Sequence, residues 1–203
     1  MMKMVKNVVV LTLITVIAGF LLGYVYDITK EPIAIAQEKE LQDALKAVSP
    51  DSASFEEVEV VNADAVLLDA GLNNDKIDKA YISKDSSGNA SGYVMSVTST
   101  EGYGGEINII LGVKNDGTIS GLEILSISET PGLGMQADTD QFKGQFAGKN
   151  VASISYTKTG ATADYEIDAL SGATITTNAM TNAVNAGLAY FYSVNSNGGE
   201  ANE

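Results

Sequence analysis

The sequence predicts an α+β protein in which a single N-terminal transmembrane helix precedes an antiparallel sheet with flanking helices. Three observations support this fold: a long apolar run near the start, short alternating segments in the middle and a helical pattern at the end. Alternation of apolar and polar residues indicates half-buried strands, whereas a period of 3.6 residues indicates a helix. The remaining length suits one domain with its own apolar core.

The apolar run covers residues 7–26 and contains no charged residue. A helix needs about 20 apolar residues to cross a bilayer, so this run predicts a transmembrane helix. Lys3 and Lys6 precede it, which places residues 1–6 in the cytoplasm and the following domain on the extracytoplasmic side of the cell membrane. The alternative is a cleaved signal peptide, but its apolar part usually spans about 7–15 residues, and the small-residue triplet at 34–36 lies well beyond the run. We therefore favour a retained single-pass anchor.

Residues 27–50 predict a juxtamembrane stalk helix. Leu41, Leu45 and Val48 lie at helical spacing, with charged residues on the opposite face. Pro50 marks the end of the helix, because proline disfavours helical backbone in the residue before it. We expect the apolar face to dock on the domain.

Residues 51–192 are predicted to form the folded domain. Its first part consists of short alternating segments separated by turn-forming residues, as at 85–89 and 115–117, which is typical of an antiparallel sheet. The stretch 173–192 has helical spacing and predicts a closing helix. Residues 193–203 are rich in Asn and Gly and predict a flexible tail.

The composition excludes several kinds of chemistry. The chain has no Cys and no His, which removes thiolate nucleophiles, iron–sulfur ligation and imidazole metal ligands, so we predict no catalytic side chain and no metal site. Redox chemistry would need an added cofactor. The net charge of −14 would repel a phosphate backbone, so nucleic acid is not an expected partner.

The richest candidate segment is residues 168–177, at the entry of the last helix. It carries several hydroxyl groups and, at Gly172, a residue that lets backbone approach a ligand closely. The first turn of a helix presents unpaired N–H groups that suit a phosphate. Ser and Thr are equally favoured as plain helix caps, and on these residues alone capping is the simpler interpretation. The candidates are Asp168, Ser171, Gly172, Ala173, Thr174, Thr176 and Thr177.

Two glycine-containing loops are further candidates. In the first, Pro131-Gly132 suits a type II turn, and its glycines leave the backbone open to close approach by a ligand. In the second, Tyr103 offers an aromatic ring beside two glycines in a turn that enters a strand. An ordinary loop and an exposed turn tyrosine are the alternatives. The candidates are Glu129, Thr130, Pro131, Gly132, Leu133, Gly134 and Met135 in the first loop, and Tyr103, Gly104 and Gly105 in the second.

Together, the segments DALSGAT (residues 168–174) and ETPGLG (residues 129–134) resemble the FMN-binding domain of the G subunit of the Rnf ion-translocating ferredoxin:NAD oxidoreductase. The C subunit of the sodium-translocating NADH:quinone reductase shares this domain. The resemblance covers residues 92–192 and implies FMN joined by a phosphoester to Thr174. Thr176 and Thr177 carry equivalent hydroxyls nearby that spacing alone does not exclude.

The resemblance also implies a function and partners. The chain would be an electron-transfer subunit rather than a stand-alone enzyme, working with other membrane subunits and matured by a flavin transferase. Asp168, Ser171 and Gly172 would serve transferase recognition and the phosphate cradle. The family often has a histidine before ETPGLG and this chain has none, and its length favours the Rnf family. The alternatives are a component of another extracytoplasmic electron-transfer chain of quinone-reductase type, and an anchored binding module without a cofactor.

Overall fold

The computed structural model describes residues 2–198, beginning with the long helix α1, Met2–Val48. The sequence predicted two helices, 7–26 and 27–50, but α1 is continuous and contains Pro32. Proline removes one backbone hydrogen bond, and the uninterrupted helix-forming residues on both sides keep the helix intact around it. The chain divides into two compact units, one ending at Gln42 and the other beginning at Asp43.

The first unit consists of α1 up to Gln42 and includes its apolar part. An 18-residue window of this helix reaches a mean hydropathy of 2.6 with none of its residues buried, so by length and composition the helix can cross a membrane. The threonine hydroxyls of the apolar part are satisfied within the helix: Thr12 Oγ1 donates to the Val8 carbonyl at 2.9 Å, and Thr15 Oγ1 to the Thr12 carbonyl at 2.9 Å. Internal pairing of polar groups is what a hydrocarbon environment requires.

The second unit contains a five-stranded sheet in which every neighbouring pair is antiparallel, as the sequence predicted. The strand order follows the chain order, from β1 to β5. A separate two-stranded parallel ladder, β6–β7, was not predicted, because three-residue strands carry too little alternation to be detected. The strands are β1 Ser54–Val58, β2 Asp75–Lys84, β3 Ala90–Ser99, β4 Ile107–Lys114, β5 Ile119–Ser126, β6 Ser155–Thr157 and β7 Glu166–Asp168.

Helices flank the sheet. The closing helix α4 packs on β2, β3 and β4 and buries apolar side chains such as Met180, Val184 and Leu188 against them. It continues to Gly198, so residues 193–198 are helical rather than part of the predicted tail, while 199–203 lie outside the described residues. The helices are α2 Ala63–Asp69, the 3₁₀ helix Gly134–Asp138, α3 Asp140–Lys143 and α4 Thr174–Gly198.

The end of α1 docks on the sheet at a pair of glycines. Gly112 and Gly121 face each other across β4 and β5. A Cβ atom at Gly121 would lie 2.8 Å from Val48 Cα, which leaves no room for a side chain. Ser120 Oγ donates to the Val48 carbonyl at 2.6 Å, and Leu45 and Val48 are fully buried. Of the three residues of the predicted apolar face, Leu45 and Val48 are thus packed into the second unit.

Gly121→Ala should therefore lower the free energy of unfolding by about 1–3 kcal/mol, because the new methyl group meets backbone that cannot rotate away. Urea unfolding of the detergent-solubilised chain measures this difference. Ser126→Ala, at the exposed end of the same strand, is the control and should leave the midpoint unchanged. An unchanged midpoint for Gly121→Ala would show that the glycine pair does not set this contact.

Candidate functional site

A cleft of about 450 Å³ lies at the N-terminus of α4, and the three segments singled out in the sequence converge on it. The loop that contains Tyr103, the 129–135 loop and the start of α4 meet there, although they are distant along the chain. This volume is within the usual range for small-ligand sites, about 300–1,000 Å³. The cleft is lined by Tyr103, Glu129, Thr130, Leu133, Gly134, Gly172, Ala173, Thr174, Ile175 and Thr176.

The first turn of α4 offers unpaired backbone donors to this cleft. Thr177 N–H donates to the Ala173 carbonyl at 3.0 Å, which closes the first helical hydrogen bond. Among the described residues, none accepts a hydrogen bond from the N–H groups of Thr174, Ile175 or Thr176. Such groups carry partial positive charge and attract anions.

The structure distinguishes the three threonines that spacing alone left open. Thr177 is fully buried, and its hydroxyl accepts from Leu170 N–H at 3.0 Å and donates to the Ala173 carbonyl at 2.9 Å. Thr177 therefore has a capping role, in agreement with the alternative weighed for this segment. Thr176 is only 1% exposed, whereas Thr174 is partly exposed. Thr174 has the most accessible hydroxyl of the three.

The buried carboxylate of Glu129 organises the two glycine-containing loops. Its Oε1 accepts from Tyr103 N–H at 2.7 Å and from Gly104 N–H at 3.3 Å. A Cβ atom at Gly134 would lie 2.6 Å from both Glu129 Oε2 and Thr176 Oγ1, so only glycine fits there. The carboxylate thus holds the backbone of the loop that carries Tyr103, and Glu129 also lines the cleft.

The predicted turn is also present. Leu133 N–H donates to the Thr130 carbonyl at 3.1 Å, and Gly132 has φ +77°, as a type II turn requires at that position. The turn directs some predicted residues away from the cleft, and others fix its wall without lining it. The predicted residues that do not line this cleft are Gly104, Gly105, Pro131, Gly132, Met135, Asp168, Ser171 and Thr177.

A second cleft of about 410 Å³ is also lined by Thr174. Gly172 and Thr174 border both clefts, whereas Ser171 borders the second and not the first. Lys158 also lines it, although the sequence did not single this lysine out, because no local pattern links it to residues 168–174. The hydroxyl of Thr174 is therefore bordered by a cleft with exposed apolar side chains and by one with a lysine.

Ile175 is a second lining residue that sequence reasoning missed. Its position looked like part of the buried face of the helix, yet it is 52% exposed and borders the first cleft. Tyr103 is 72% exposed and Leu133 is 44% exposed. Exposed apolar side chains gathered at one cleft are characteristic of a ligand site.

A polar network ties the helix to the loop behind the cleft. Glu101 Oε1 accepts from Asn74 Nδ2 at 2.9 Å. Its Oε2 accepts from Asn178 Nδ2 at 3.2 Å and from Asn182 Nδ2 at 2.5 Å, one turn further along α4. The sequence does not reveal this network, because its members are far apart along the chain.

Comparison with known proteins decides the family. Residues 102–189 match the family model described as the FMN-binding domain, and residues 1–48 match the RnfG N-terminal region. The chain is 34% identical to the G subunit of the ion-translocating oxidoreductase complex of Methanosarcina acetivorans over 186 residues, covering 91% of this chain and 93% of that protein. This chain belongs to the RnfG family.

A second member of the family is the G subunit of the Na⁺-translocating ferredoxin:NAD⁺ oxidoreductase complex of Acetobacterium woodii. It is 35% identical over 150 residues, covering 71% of this chain and 70% of that protein. These matches confirm the Rnf-type resemblance read from the sequence motifs. A match to an FMN-binding domain also favours a flavin site over an anchored module without a cofactor.

Two solved structures share the fold of this RnfG-family chain. NqrC of Shewanella oneidensis superposes with a TM-score of 0.59 at 18% identity, covering 80% of this chain and 99% of that one. The C subunit of the Na⁺-translocating NADH-quinone reductase of Parabacteroides distasonis gives a TM-score of 0.55 at 20% identity, covering 78% and 92%. At these identities the likeness establishes the α+β fold alone.

The residues at the cleft fit FMN on structural grounds. A phosphate matches the unpaired N–H groups at the start of α4 and the accessible hydroxyl of Thr174. A flat ring matches the exposed apolar side chains of the first cleft. Gly172, with φ +74°, allows the backbone to turn into the helix where a residue with a side chain would be strained.

A buried carboxylate stands near the Glu101 network. Asp75 is 7% exposed, and burial raises its pKa from 3.8 to about 6. The nearby Ser99 hydroxyl favours the charged form and so opposes this rise, whereas the charge of Glu101 adds to it. Because the pKa of Asp75 is higher in the folded protein than in the unfolded chain, ionisation of Asp75 lowers the free energy of unfolding as the pH rises. The full loss is reached above about pH 6.

Asp75→Asn should therefore stabilise the protein at about pH 8, by at most about 3 kcal/mol, because one pKa unit corresponds to about 1.4 kcal/mol. Its advantage should fall to roughly half at about pH 5, where the folded protein already holds the proton. Urea unfolding across this pH range measures the difference, with exposed Asp69→Asn as the control. A loss of stability in Asp75→Asn at every pH would show that the fold needs the charged carboxylate.

Proposed function

We propose that the chain carries FMN as a phosphoester on Thr174 and transfers electrons within a membrane-bound ion-translocating ferredoxin:NAD oxidoreductase complex. One observation carries the covalent assignment: Thr174 is the most exposed of the three threonines in the first turn of α4, and it borders both clefts. Membership of the RnfG family supports the complex, and the FMN-binding-domain match supports the cofactor. The chain acts as one redox subunit among others.

The acidic charge of the chain explains why a covalent link is useful. The chain has a net charge of −14 and no arginine, so a free phosphate would lack a bidentate partner. A helix N-terminus contributes only about 0.3–1 kcal/mol to binding a nearby anion. A bond to Thr174 abolishes dissociation and keeps the cofactor in place at any free concentration.

Formation of the ester needs an activated phosphate, which a flavin dinucleotide provides as the donor for a flavin transferase. Thr174 Oγ forms the bond to phosphorus, the anhydride bond of the donor breaks, and adenylate leaves. The hydroxyl proton of Thr174 passes to a base of the transferase or to solvent. This assigns the chemistry of maturation to the transferase, in keeping with a site that contains no histidine.

The other residues of the site hold and shape it. The free N–H groups of Ile175 and Thr176 would hold the phosphate, and Tyr103 and Leu133 would cover the apolar part of the cofactor. Glu129 fixes the loop that carries Tyr103. FMN, when bound, supplies one- and two-electron transfer, so no side chain of the protein has to act as a catalytic acid or base.

Thr174→Ala should abolish flavin attachment, because it removes the accessible hydroxyl. The test is co-expression with a flavin transferase, followed by intact mass and in-gel fluorescence of the denatured protein. Wild type and Thr174→Ser should gain the mass of one esterified FMN and fluoresce, and Thr176→Ala should retain the label. Fluorescence that persists in Thr174→Ala would transfer the linkage to another residue, and an unlabelled wild type would refute the covalent assignment.

The proposed membrane topology follows from Lys3 and Lys6, which favour a cytoplasmic N-terminus and an extracytoplasmic domain. Because the chain has no cysteine, a single introduced cysteine reports its own position. In spheroplasts, a membrane-impermeant maleimide should label Ser86→Cys in the exposed β2–β3 turn and should label Met4→Cys only after lysis. The reverse labelling pattern would place the domain in the cytoplasm.

A further inference from the structure

We propose that Lys158 is the cation that balances the phosphate at Thr174, and that Asp168 contributes by fixing the loop that presents Lys158. This proposal rests on the function proposed above. It assigns a binding role to a lysine outside the SGAT segment and a positioning role to the aspartate that precedes it. Lys158 would act on both the incoming donor phosphate and the finished ester.

Lys158 lies in the second cleft. Lys158, Ser171, Gly172 and Thr174 line the same 410 Å³ space, and neither Tyr103 nor Leu133 lines it. Among the residues that the structure describes, none forms an ion pair or a hydrogen bond with the Lys158 ammonium group. Its charge is therefore available to a ligand.

Backbone pairing between β6 and β7 places Lys158 beside the second cleft. In the parallel ladder β6–β7, Thr157 is registered with Asp168. Ala169 N–H donates to the Thr157 carbonyl at 2.8 Å, which fixes the residue that follows Thr157 beside the start of the SGAT segment. The ladder thus brings Lys158 to Thr174 although the two are distant along the chain.

Asp168 is hydrogen-bonded to the loop that follows Lys158. Its Oδ1 accepts from Ala161 N–H at 2.6 Å, and its own N–H donates to Gln145 Oε1 at 2.7 Å. Thr159 N–H donates to Thr157 Oγ1 at 3.2 Å and closes the turn from the other side. A carboxylate aimed at a phosphate would repel it, whereas this one is bonded to the loop that holds Lys158.

The charge balance of the domain makes this one lysine significant. The chain carries 26 acidic residues against 12 lysines. Of the nearby cations, Lys149 donates to the Asp164 carbonyl at 2.6 Å, and Lys143 pairs with Glu123 and Asp138. An exposed charge next to a phosphate acts mainly on association and is screened by salt, so its loss should slow attachment without abolishing it.

The test is the initial rate of FMN incorporation into the full-length chain in detergent, with purified flavin transferase and a flavin dinucleotide. At low salt, Lys158→Gln should slow incorporation by roughly fivefold, since exposed charge pairs have effects of this order. Lys158→Arg should restore the rate, and Lys114→Gln, which removes an exposed lysine elsewhere in the domain, should match wild type. The difference between wild type and Lys158→Gln should shrink as salt is added.

Double variants test the role of Asp168. Asp168→Asn should slow incorporation, and Lys158→Gln with Asp168→Asn should be no slower than the slower single variant, because both changes remove one function. Fully multiplicative effects would show that Asp168 acts independently of Lys158, for example through direct contact with the transferase, and would overturn its positioning role. Thermal unfolding of each variant checks that the fold is kept.

The outcomes separate this proposal from the one on which it rests. If wild type takes up FMN at Thr174 and Lys158→Gln does so at the same rate, the role of Lys158 is refuted while the covalent site stands. If Lys158→Arg fails to restore the rate, the role of its charge is refuted. If wild type takes up no FMN, the covalent assignment fails and this proposal falls with it.

Discussion

The buried carboxylate of Glu129 is the contact on which the shape of the cleft depends. A carboxylate removed from water must be hydrogen-bonded, and Oε1 meets this need with the N–H groups of Tyr103 and Gly104. The glycines around it follow from the same contact. A Cβ atom at Gly134 would lie 2.6 Å from Oε2, and one at Gly102 would lie 3.2 Å from Oε1. Space for this charged side chain thus explains the glycine at 134, whereas a Cβ atom at Gly104 would meet the Ser128 carbonyl oxygen at 1.9 Å.

Sequence alone identified the elements whose signal is local. Alternation predicted an antiparallel sheet, and residues Thr130 to Leu133 form the turn that Pro131-Gly132 predicted. The motif resemblance rests on two of the three segments of the cleft, and the loop at Tyr103 was a further candidate. Spacing alone could not choose between the threonines, because Thr174 and Thr177 differ in burial and hydrogen bonding rather than in residue type.

Several features that the sequence did not reveal depend on contacts between distant residues. Lys158 reaches the site through the short ladder β6–β7, and Glu101 joins α4 through Asn178 and Asn182. The docking of α1 depends on Gly112 and Gly121, which look unremarkable as isolated glycines and become informative once they are registered across two strands. Such pairings follow from topology, which local patterns do not encode.

Different charged groups hold α4 in place and face the proposed cofactor site at its N-terminus. Behind the cleft, Glu101 holds the side of the helix through amide donors, and the buried Asp75 adds negative charge nearby. Around Thr174, one oxygen each of Glu129 and Asp168 accepts from backbone N–H groups, and the groups suited to a phosphate are the N–H groups at the start of α4 and Lys158. This acidic domain therefore offers a phosphate only a small positive region at the start of α4, which attracts an anion weakly. A covalent bond to Thr174 would compensate for that weak attraction.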